Sequence, residues 1–202
     1  MFLGYLNIPN LMTFTGLTSA LLACLLSLQG ELGMSLICLM LAGILDLFDG
    51  LVARKIQQSD DAAMFGMQID TISDMACFGV VPVIISMHTG LRSPLDFIIQ
   101  AFYVCCAAMR LGYFNVHGMT SSGKNNFFIG LPVTYAALIF PLVFITVGMF
   151  DPSLTHNIIR ITFVTVGVLF VLKIKILKPH GIFYFIFPTL AIILSSYWLF
   201  RS

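Results

Sequence analysis

Seven long apolar runs, separated by short polar connections, limit what this chain of 202 residues can fold into. A helix that crosses a bilayer needs about 20 mostly apolar residues. The runs have about that length and cover residues 10–28, 32–52, 68–88, 95–114, 130–150, 157–175 and 181–200. Only 9% of the residues are charged, against about a quarter in a soluble domain. The sequence therefore predicts an all-α, polytopic membrane bundle with six core helices and a C-terminal seventh, in a single domain of residues 1–202.

The distribution of Lys and Arg predicts the orientation of this bundle. Seven of the ten basic residues follow the second, fourth and sixth runs, and three lie on the other side. Cytoplasmic connections carry the excess of basic residues in membrane proteins. We therefore expect a multi-pass protein of the cytoplasmic membrane whose N-terminus faces the cytoplasm. The basic residues form no patch along the chain, so we expect no nucleic-acid partner.

Four aspartates stand at the cytoplasmic ends of the second and third runs. An acidic residue at the bilayer centre costs about 2.5–3.5 kcal/mol, so solvated helix ends near the interface are the simplest explanation. Their spacing argues for more than that, because each half of the group falls on one face of a helix. The first half is Asp46, Asp49, Gly50 and Ala53, and the second half is Gly66, Asp70 and Asp74.

Two antiparallel helices joined by a short connection would bring these two faces together. Like-charged carboxylates repel one another there unless a cation holds them. Oxygen ligands favour a hard ion such as Mg²⁺, Mn²⁺ or Ca²⁺. The small residues leave room for a ligand, and Arg54 offers a planar fork that suits phosphate. The combination indicates a site for a metal-bound phosphate ester.

The pattern D-x2-D-G-x2-A-R … G-x3-D-x3-D resembles the signature of the CDP-alcohol phosphatidyltransferases, with eight identities and the internal spacings kept. Eleven residues separate Arg54 from Gly66, which is more than is usual in that family. We interpret residues 55–65 as a lengthened loop that tolerates deletion. Ser59, Asp60 and Asp61 have the pattern of an N-cap and first turn of the next helix.

Further stretches resemble the phosphatidylserine synthases of that family. They are NIPNLMT at residues 7–13, CFGVVP at 77–82, RLGYFNV at 110–116, FIGLPVT at 128–134 and LKIKILKP at 172–179. The resemblance covers about residues 7–179 and leaves the last run, 181–200, outside it. Tyr113 stands where that branch commonly has an arginine.

The resemblance implies transfer of the phosphatidyl group of CDP-diacylglycerol to the hydroxyl of L-serine, with release of CMP and two divalent cations, Mg²⁺ or Mn²⁺, as cofactors. It also implies a homodimer. The metal ligands would be Asp46, Asp49, Asp70 and Asp74, with Asp74 also the general base. The donor nucleotide would contact Pro9, Asn10, Thr13, Gly50, Ala53, Arg54 and Gly66. The acceptor would contact Arg110, Asn115, Lys124 and Asn126.

Two alternatives stay open from the sequence. Another acceptor, such as inositol phosphate, glycerol phosphate or choline, would use the same metal site with a different connection around Arg110. A cation transporter would use the aspartates as a pathway, and it would want polar groups at mid-membrane depth on several helices. In this chain the aspartates are concentrated on one side of the membrane, which favours the enzyme.

Overall fold

The computed structural model describes residues 4–118, 120–122, 125–147, 151–177 and 183–201. Eight α-helices make up most of this part of the chain, together with three short strands. The helices are α1 Ile8–Leu28, α2 Leu32–Ala53, α3 Asp60–Asp74, α4 Val81–His88, α5 Pro94–His117, α6 Ala136–Val147, α7 Pro152–Val171 and α8 Phe183–Arg201. The strands are β1 Thr120–Ser122, β2 Asn125–Ile129 and β3 Lys175–Leu177.

Five helical stretches of the described chain are long and apolar enough to cross a membrane, by length and composition. They are α1, α2, α5, Leu154–Val171 within α7, and Asp60–His88, which runs through α3 and α4. Two shorter apolar helices, Val133–Thr146 and Phe187–Ser196, fall in the fifth and seventh predicted runs. The all-α polytopic membrane bundle is therefore confirmed, and the number of seven crossings stays a prediction.

Helices α1 and α2 form a closely packed hairpin, and the buried residues of α1 are small. The Ser19 hydroxyl donates to the carbonyl of Cys38 at 2.8 Å, and the Ser35 hydroxyl donates to the carbonyl of Ala23 at 2.7 Å. Small side chains let two membrane helices approach closely, and hydroxyls then bond across the interface. This contact fixes the position of α2, which carries the first two aspartates.

Helix α3 begins inside the stretch 55–65 that the sequence predicted to be a loop. Ser59 caps the helix by accepting a hydrogen bond from the Ala62 N–H, and Asp60 and Asp61 occupy the first turn. Acidic side chains there face the positive end of the helix dipole. The expected cap and first turn are therefore present. The expected loop over residues 55–65 was wrong from residue 60 onward, because Ser59 caps a helix that begins at Asp60.

Between α3 and α4 the chain winds more widely, as a π-helical segment over Met75–Val80. In a continuous α-helix the Phe78 carbonyl would accept from the N–H of residue 82, and Pro82 has none. The hydroxyl of Tyr103, which is fully buried in α5, donates to that carbonyl at 2.6 Å. The segment directly follows Asp74, so it sets how the aspartate face of α3 is rotated relative to α4.

At the other end of the bundle an ion pair joins α5 to α7. Ser93 and Asp96 form a capping box at the start of α5. Asp96, whose side chain is 2% exposed, accepts a hydrogen bond from Nε of Arg160 at 2.6 Å. Charge-assisted hydrogen bonds of this kind are about twice as strong as neutral ones. The pair therefore holds the start of α5 against α7.

A small antiparallel sheet, which the sequence did not predict, joins the segment after α5 to the segment after α7. Strand β2 lies in the middle and pairs with both β1 and β3. Gly130 follows β2 with φ of +78°, and a Cβ there would lie 2.4 Å from the Phe170 carbonyl oxygen. Glycine alone fits this position. The chain then enters a 3₁₀ turn, Val133–Tyr135, that leads into α6.

Helix α8, which lies beyond the stretch that resembles the family, packs against α2 and α6. A Cβ on Gly43 of α2 would lie 2.6 Å from the Cβ of Ala137 and 3.3 Å from the Phe187 ring. Met40 of α2 and Ala191 of α8 are each 1% exposed in a shared apolar cluster. Glycine at position 43 therefore lets three helices meet, and α8 braces the helix that carries the first two aspartates.

Candidate active site

Three of the four aspartates lie together where α2 meets α3. One carboxylate oxygen from each of Asp46, Asp49 and Asp70 lies within 4.8 Å of the other two. The spacing of three residues puts the first two on one face of α2, and Asp70 approaches from α3. The structure thus brings the two halves of the sequence pattern to one place.

Asp74 lies against the same cluster, one turn beyond Asp70. Its carboxyl group is within hydrogen-bonding reach of the carboxyl group of Asp46. It lines a narrow cleft together with Asp46, Asp49 and Thr13. Two carboxyl groups this close need a shared proton or a cation between them. The four aspartates therefore form one electrostatic unit.

A threonine from α1 holds Asp49. The Asp49 residue is 4% exposed, and its Oδ2 accepts a hydrogen bond from the Thr13 hydroxyl at 2.6 Å. The same hydroxyl lies 3.1 Å from the carbonyl of Pro9, one turn earlier in α1. Thr13, which the resemblance assigns to the nucleotide, contacts a carboxylate of the cluster in the structure.

A second threonine, which the sequence reasoning did not assign to the site, contacts Asp46. The Thr134 hydroxyl donates to Oδ2 of Asp46 at 2.9 Å, across 88 positions of the sequence. Thr134 lies in the 3₁₀ turn before α6. The only signal in the sequence was its place at the end of the FIGLPVT stretch, and that stretch says nothing about which side chain it meets.

The small residues of the pattern have different surroundings. A Cβ on Gly50 would meet no atom within 4 Å, so this face of α2 is open. A Cβ on Gly66 would lie 3.0 Å from Oδ1 of Asn10. Asn10 is 2% exposed and donates through Nδ2 to the carbonyl of Tyr5 at 2.8 Å. Gly66 therefore makes room for α1, whereas Gly50 leaves room for a ligand.

The other residues assigned to the donor lie around the connection between α2 and α3. Pro9 is buried in the first turn of α1, and Arg54 is exposed at the C-cap of α2. The carbonyl of Ala53 accepts from Nε2 of Gln58 at 3.3 Å, and Oε1 of Gln58 accepts from Nδ2 of Asn7 at 2.8 Å. Gln58, which the sequence reasoning missed, therefore links this connection to the start of α1.

Two of the residues assigned to the acceptor can be placed by their side chains. The first is Asn115, whose Nδ2 donates to the hydroxyl of Thr71 at 3.0 Å. Thr71 is the residue after Asp70, so Asn115 lies beside the aspartate helix. Lys124 lies outside the described residues, and Asn126 is described only as part of the backbone of β2.

The second is Arg110, which is 5% exposed near the end of α5. Its Nε donates to the carbonyl of Leu131 at 3.1 Å, and its guanidinium lies 5.2 Å from the centre of the Phe114 ring. The Nε bond uses one of the five N–H donors of a guanidinium. Arg110 also lines a cleft between the ends of α5 and α7, together with Tyr113 and Lys173.

The aspartate cluster suits a divalent cation by its donor atoms and by its dimensions. Carboxylate oxygens are the ligands that hard cations prefer. Oxygens that share one ion lie at most about 4.2 Å apart around Mg²⁺ and about 5 Å apart around Ca²⁺, since the metal–oxygen distances are about 2.1 and 2.5 Å. The observed limit of 4.8 Å is close to that range. The cluster is therefore a candidate site for a divalent metal.

Comparison with known proteins matches most of the chain to a single family. The family model for CDP-alcohol phosphatidyltransferase matches residues 6–173. The match includes both aspartate half-motifs and ends before α8.

Three relatives are named for serine-containing lipids. The chain is 34% identical over 144 residues to archaetidylserine synthase of Methanothermobacter thermautotrophicus, which covers 71% of this chain and 60% of the relative. It is 32% identical over 183 residues to a CDP-diacylglycerol–serine O-phosphatidyltransferase of Methanocaldococcus jannaschii, covering 90% and 80%. It is 28% identical over 175 residues to the Bacillus subtilis protein of that name, covering 86% and 90%. The match thus spans less than two thirds of the first relative and most of the other two.

Proposed function

The chain belongs to the CDP-alcohol phosphatidyltransferase family, and from that premise we propose that it transfers the phosphatidyl group of CDP-diacylglycerol to L-serine, forming phosphatidylserine and CMP. The observation that carries the proposal is the convergence of Asp46, Asp49 and Asp70, with carboxylate oxygens within 4.8 Å of one another. These residues stand at the positions of the family pattern. The names of the three relatives support serine as the acceptor.

The four aspartates have two tasks in this proposal. Transfer of a phosphoryl-type group depends on positioning and on neutralising charge more than on covalent help from the protein. Two divalent cations, Mg²⁺ or Mn²⁺, would supply that neutralisation when held by Asp46, Asp49, Asp70 and Asp74. The serine hydroxyl oxygen forms a bond to the phosphorus of the phosphatidyl group, and the bond from that phosphorus to the CMP oxygen breaks. CMP leaves with the electron pair, and the hydroxyl proton passes to Asp74.

We propose that the cytidine of the donor lies over the open face of α2. Gly50 has no neighbouring atom within 4 Å of where a Cβ would stand, so a flat ring can approach the backbone there. The proposed contacts around it are Pro9, Asn10, Thr13, Ala53, Arg54 and Gly66. Arg54, exposed at the end of α2, is suited to a phosphate oxygen.

For the acceptor we propose Arg110 and Asn115, with Lys124 and Asn126 from the connection that follows. A guanidinium binds a carboxylate through two parallel hydrogen bonds, and the carboxylate of serine offers that partner. Asn115 is joined to the aspartate helix through Thr71, so its amide lies beside the proposed metal site. The alternative acceptor, a dianionic inositol phosphate, would need more positively charged side chains than serine does. Lys173, in the cleft beside Arg110, would be one of them.

The test is an assay of CMP release by the purified protein in detergent, with CDP-diacylglycerol, Mn²⁺ or Mg²⁺, and a panel of alcohols. We expect L-serine to give phosphatidylserine and CMP, and glycerol 3-phosphate and inositol 1-phosphate to give little. EDTA should abolish release, and added Mg²⁺ or Mn²⁺ should restore it. Product from inositol phosphate and none from serine would overturn the acceptor and leave the family and the metal site intact.

The surroundings of the site belong to the same proposal. We propose that the protein is a homodimer in the cytoplasmic membrane, that its active site faces the cytoplasm, and that residues 1–202 form one domain. The long apolar helices support the location of this chain in a lipid bilayer. Chemical cross-linking in native membranes tests the dimer, because a monomer would give a single band of 22.3 kDa.

A further inference from the structure

We propose that Thr134 is a positioning residue, which holds the Asp46 carboxylate in the orientation that a bound divalent cation requires. The inference rests on the metal-binding role proposed above for the aspartate cluster. Its first observation is the hydrogen bond from the Thr134 hydroxyl to Oδ2 of Asp46 at 2.9 Å. This bond comes from a part of the chain outside the aspartate pattern.

A bond of this kind selects one orientation of the carboxylate. The terminal torsion of an aspartate is broad, so the side chain alone does not fix the direction of its two oxygens. A carboxylate has about four lone-pair positions, and the bond to Thr134 uses one of them. The others stay available to a cation. Hydrogen bonds to metal ligands commonly orient them in this way.

The segment that precedes Thr134 is held by hydrogen bonds to α7, to the connection after α7 and to α5. The N–H of Gly130 donates to the carbonyl of Ile174, and the N–H of Leu131 donates to the carbonyl of Leu169, both at 2.9 Å. The Leu131 carbonyl accepts from Nε of Arg110 at 3.1 Å. The segment that leads to the threonine is therefore tied to α5 and to the end of α7.

The direction of this hydroxyl differs from that of three threonines whose hydroxyls bond within their own helix. Thr15, Thr18 and Thr162 each donate to the carbonyl four residues earlier in their own helix. Thr134 instead donates across the bundle to a carboxylate, as Thr13 does to Asp49. Two of the clustered aspartates thus accept a hydroxyl bond from a different element.

The experiment is a Mn²⁺ titration of the purified protein in detergent, followed by electron paramagnetic resonance of the free ion. Thr134→Val removes the hydroxyl and keeps the branched shape, so we expect Mn²⁺ to bind about 10–100-fold more weakly. Thr134→Ser keeps the hydroxyl and should restore the affinity. Thr162→Val is the matched control, because the Thr162 hydroxyl donates to the Ile158 carbonyl of its own helix, and the Mn²⁺ affinity of this variant should equal that of the wild type.

A second comparison tests whether the effect passes through Asp46. In the Asp46→Asn background, Thr134→Val should cause no further loss of affinity, because coupled residues are not additive. Thr134→Ala is measured alongside in case the valine variant does not fold. Wild-type Mn²⁺ affinity in the folded Thr134→Val and Thr134→Ala variants would overturn the inference and leave the metal site intact. An equal loss of affinity in the Thr134→Ser and Thr134→Val variants would do the same. A wild-type protein that binds no Mn²⁺ would overturn both the inference and the metal site.

Discussion

At the scale of one residue, placing the charged side chain of Asp49 in a membrane helix has a cost in free energy. It is 4% exposed in a helix that is apolar enough to cross a membrane. A charged residue costs about 2.5–3.5 kcal/mol at the centre of such a helix and less near its end, where Asp49 lies. A hydrogen bond to a charged group returns about 1.5–3 kcal/mol. The bond from Thr13 therefore offsets much of that cost. Its neighbouring carboxylates add repulsion, which a cation would remove.

Removing one charge from this unit should impair the reaction. Asp46→Asn, Asp49→Asn, Asp70→Asn and Asp74→Asn should each lower CMP release at least about tenfold, because each takes a ligand from a shared metal site. The measurement is CMP release at saturating CDP-diacylglycerol and serine. Asp61→Asn in the exposed first turn of α3 is the control and should retain activity. Full activity in any two of the four variants would contradict the two-metal assignment.

The open face at Gly50 gives a second prediction. Gly50→Leu should fill the space proposed for the cytidine, so binding of CDP-diacylglycerol should be lost while the protein stays folded. Ala108→Leu, an equally bulky change at an exposed position of α5, should leave binding intact. The measurement is binding of labelled CDP-diacylglycerol in detergent, with size-exclusion chromatography as the check on folding. Undiminished binding in the Gly50 variant would place the nucleotide elsewhere.

At the scale of elements, the π-helical segment joins the aspartate helix to the core. Tyr103→Phe removes the hydroxyl that satisfies the Phe78 carbonyl, whose α-helical partner is missing because of Pro82. An unsatisfied buried acceptor costs about 1–3 kcal/mol. We therefore expect Tyr103→Phe to unfold at lower temperature in detergent. Tyr5→Phe, at an exposed ring, should unfold at the temperature of the wild type.

A second measurement on Tyr103→Phe tests whether loss of this hydrogen bond also affects the aspartate site. Because the segment directly follows Asp74, Tyr103→Phe should also raise the Mn²⁺ concentration needed for half-maximal activity. Unchanged stability in that variant would mean that the carbonyl finds another donor.

The aspartate pattern could be predicted from the sequence because helix geometry alone determines it. Residues three and four apart share a helical face whatever surrounds them, so Asp46 and Asp49 had to point the same way. The start of α3 followed from local capping at Ser59. Thr134 could not be found in this way, because its contact depends on how α6 is placed against α2. The pairing of β2 with β3 joins segments on either side of α6 and α7, so it leaves no local pattern.

At the scale of the whole molecule, the two ends of the bundle differ in chemistry. The aspartate cluster lies near one end, and the ion pair of Asp96 with Arg160 lies at the start of α5, near the other. The excess of basic connections predicts that the aspartate end faces the cytoplasm.

Single cysteines in a variant without the native ones test this orientation. In intact cells an impermeant maleimide should label a cysteine at Thr89 and should not label one at Gln57. Opening the cells should expose Gln57 to the reagent. The reverse pattern would invert the orientation and leave the fold unchanged.

The order of synthesis gives the two threonine contacts different times of formation. Thr13 precedes the aspartates in the chain, whereas Thr134 follows them by the helices α4 and α5 and the first two strands of the sheet. Contacts that are local in sequence form first, and the N-terminal part of a chain folds while the rest is being made. We expect a nascent chain to gather its carboxylates as soon as α3 is inserted. Asp46 is oriented only when the turn before α6 arrives, so a chain that stalls earlier stays inert in the membrane.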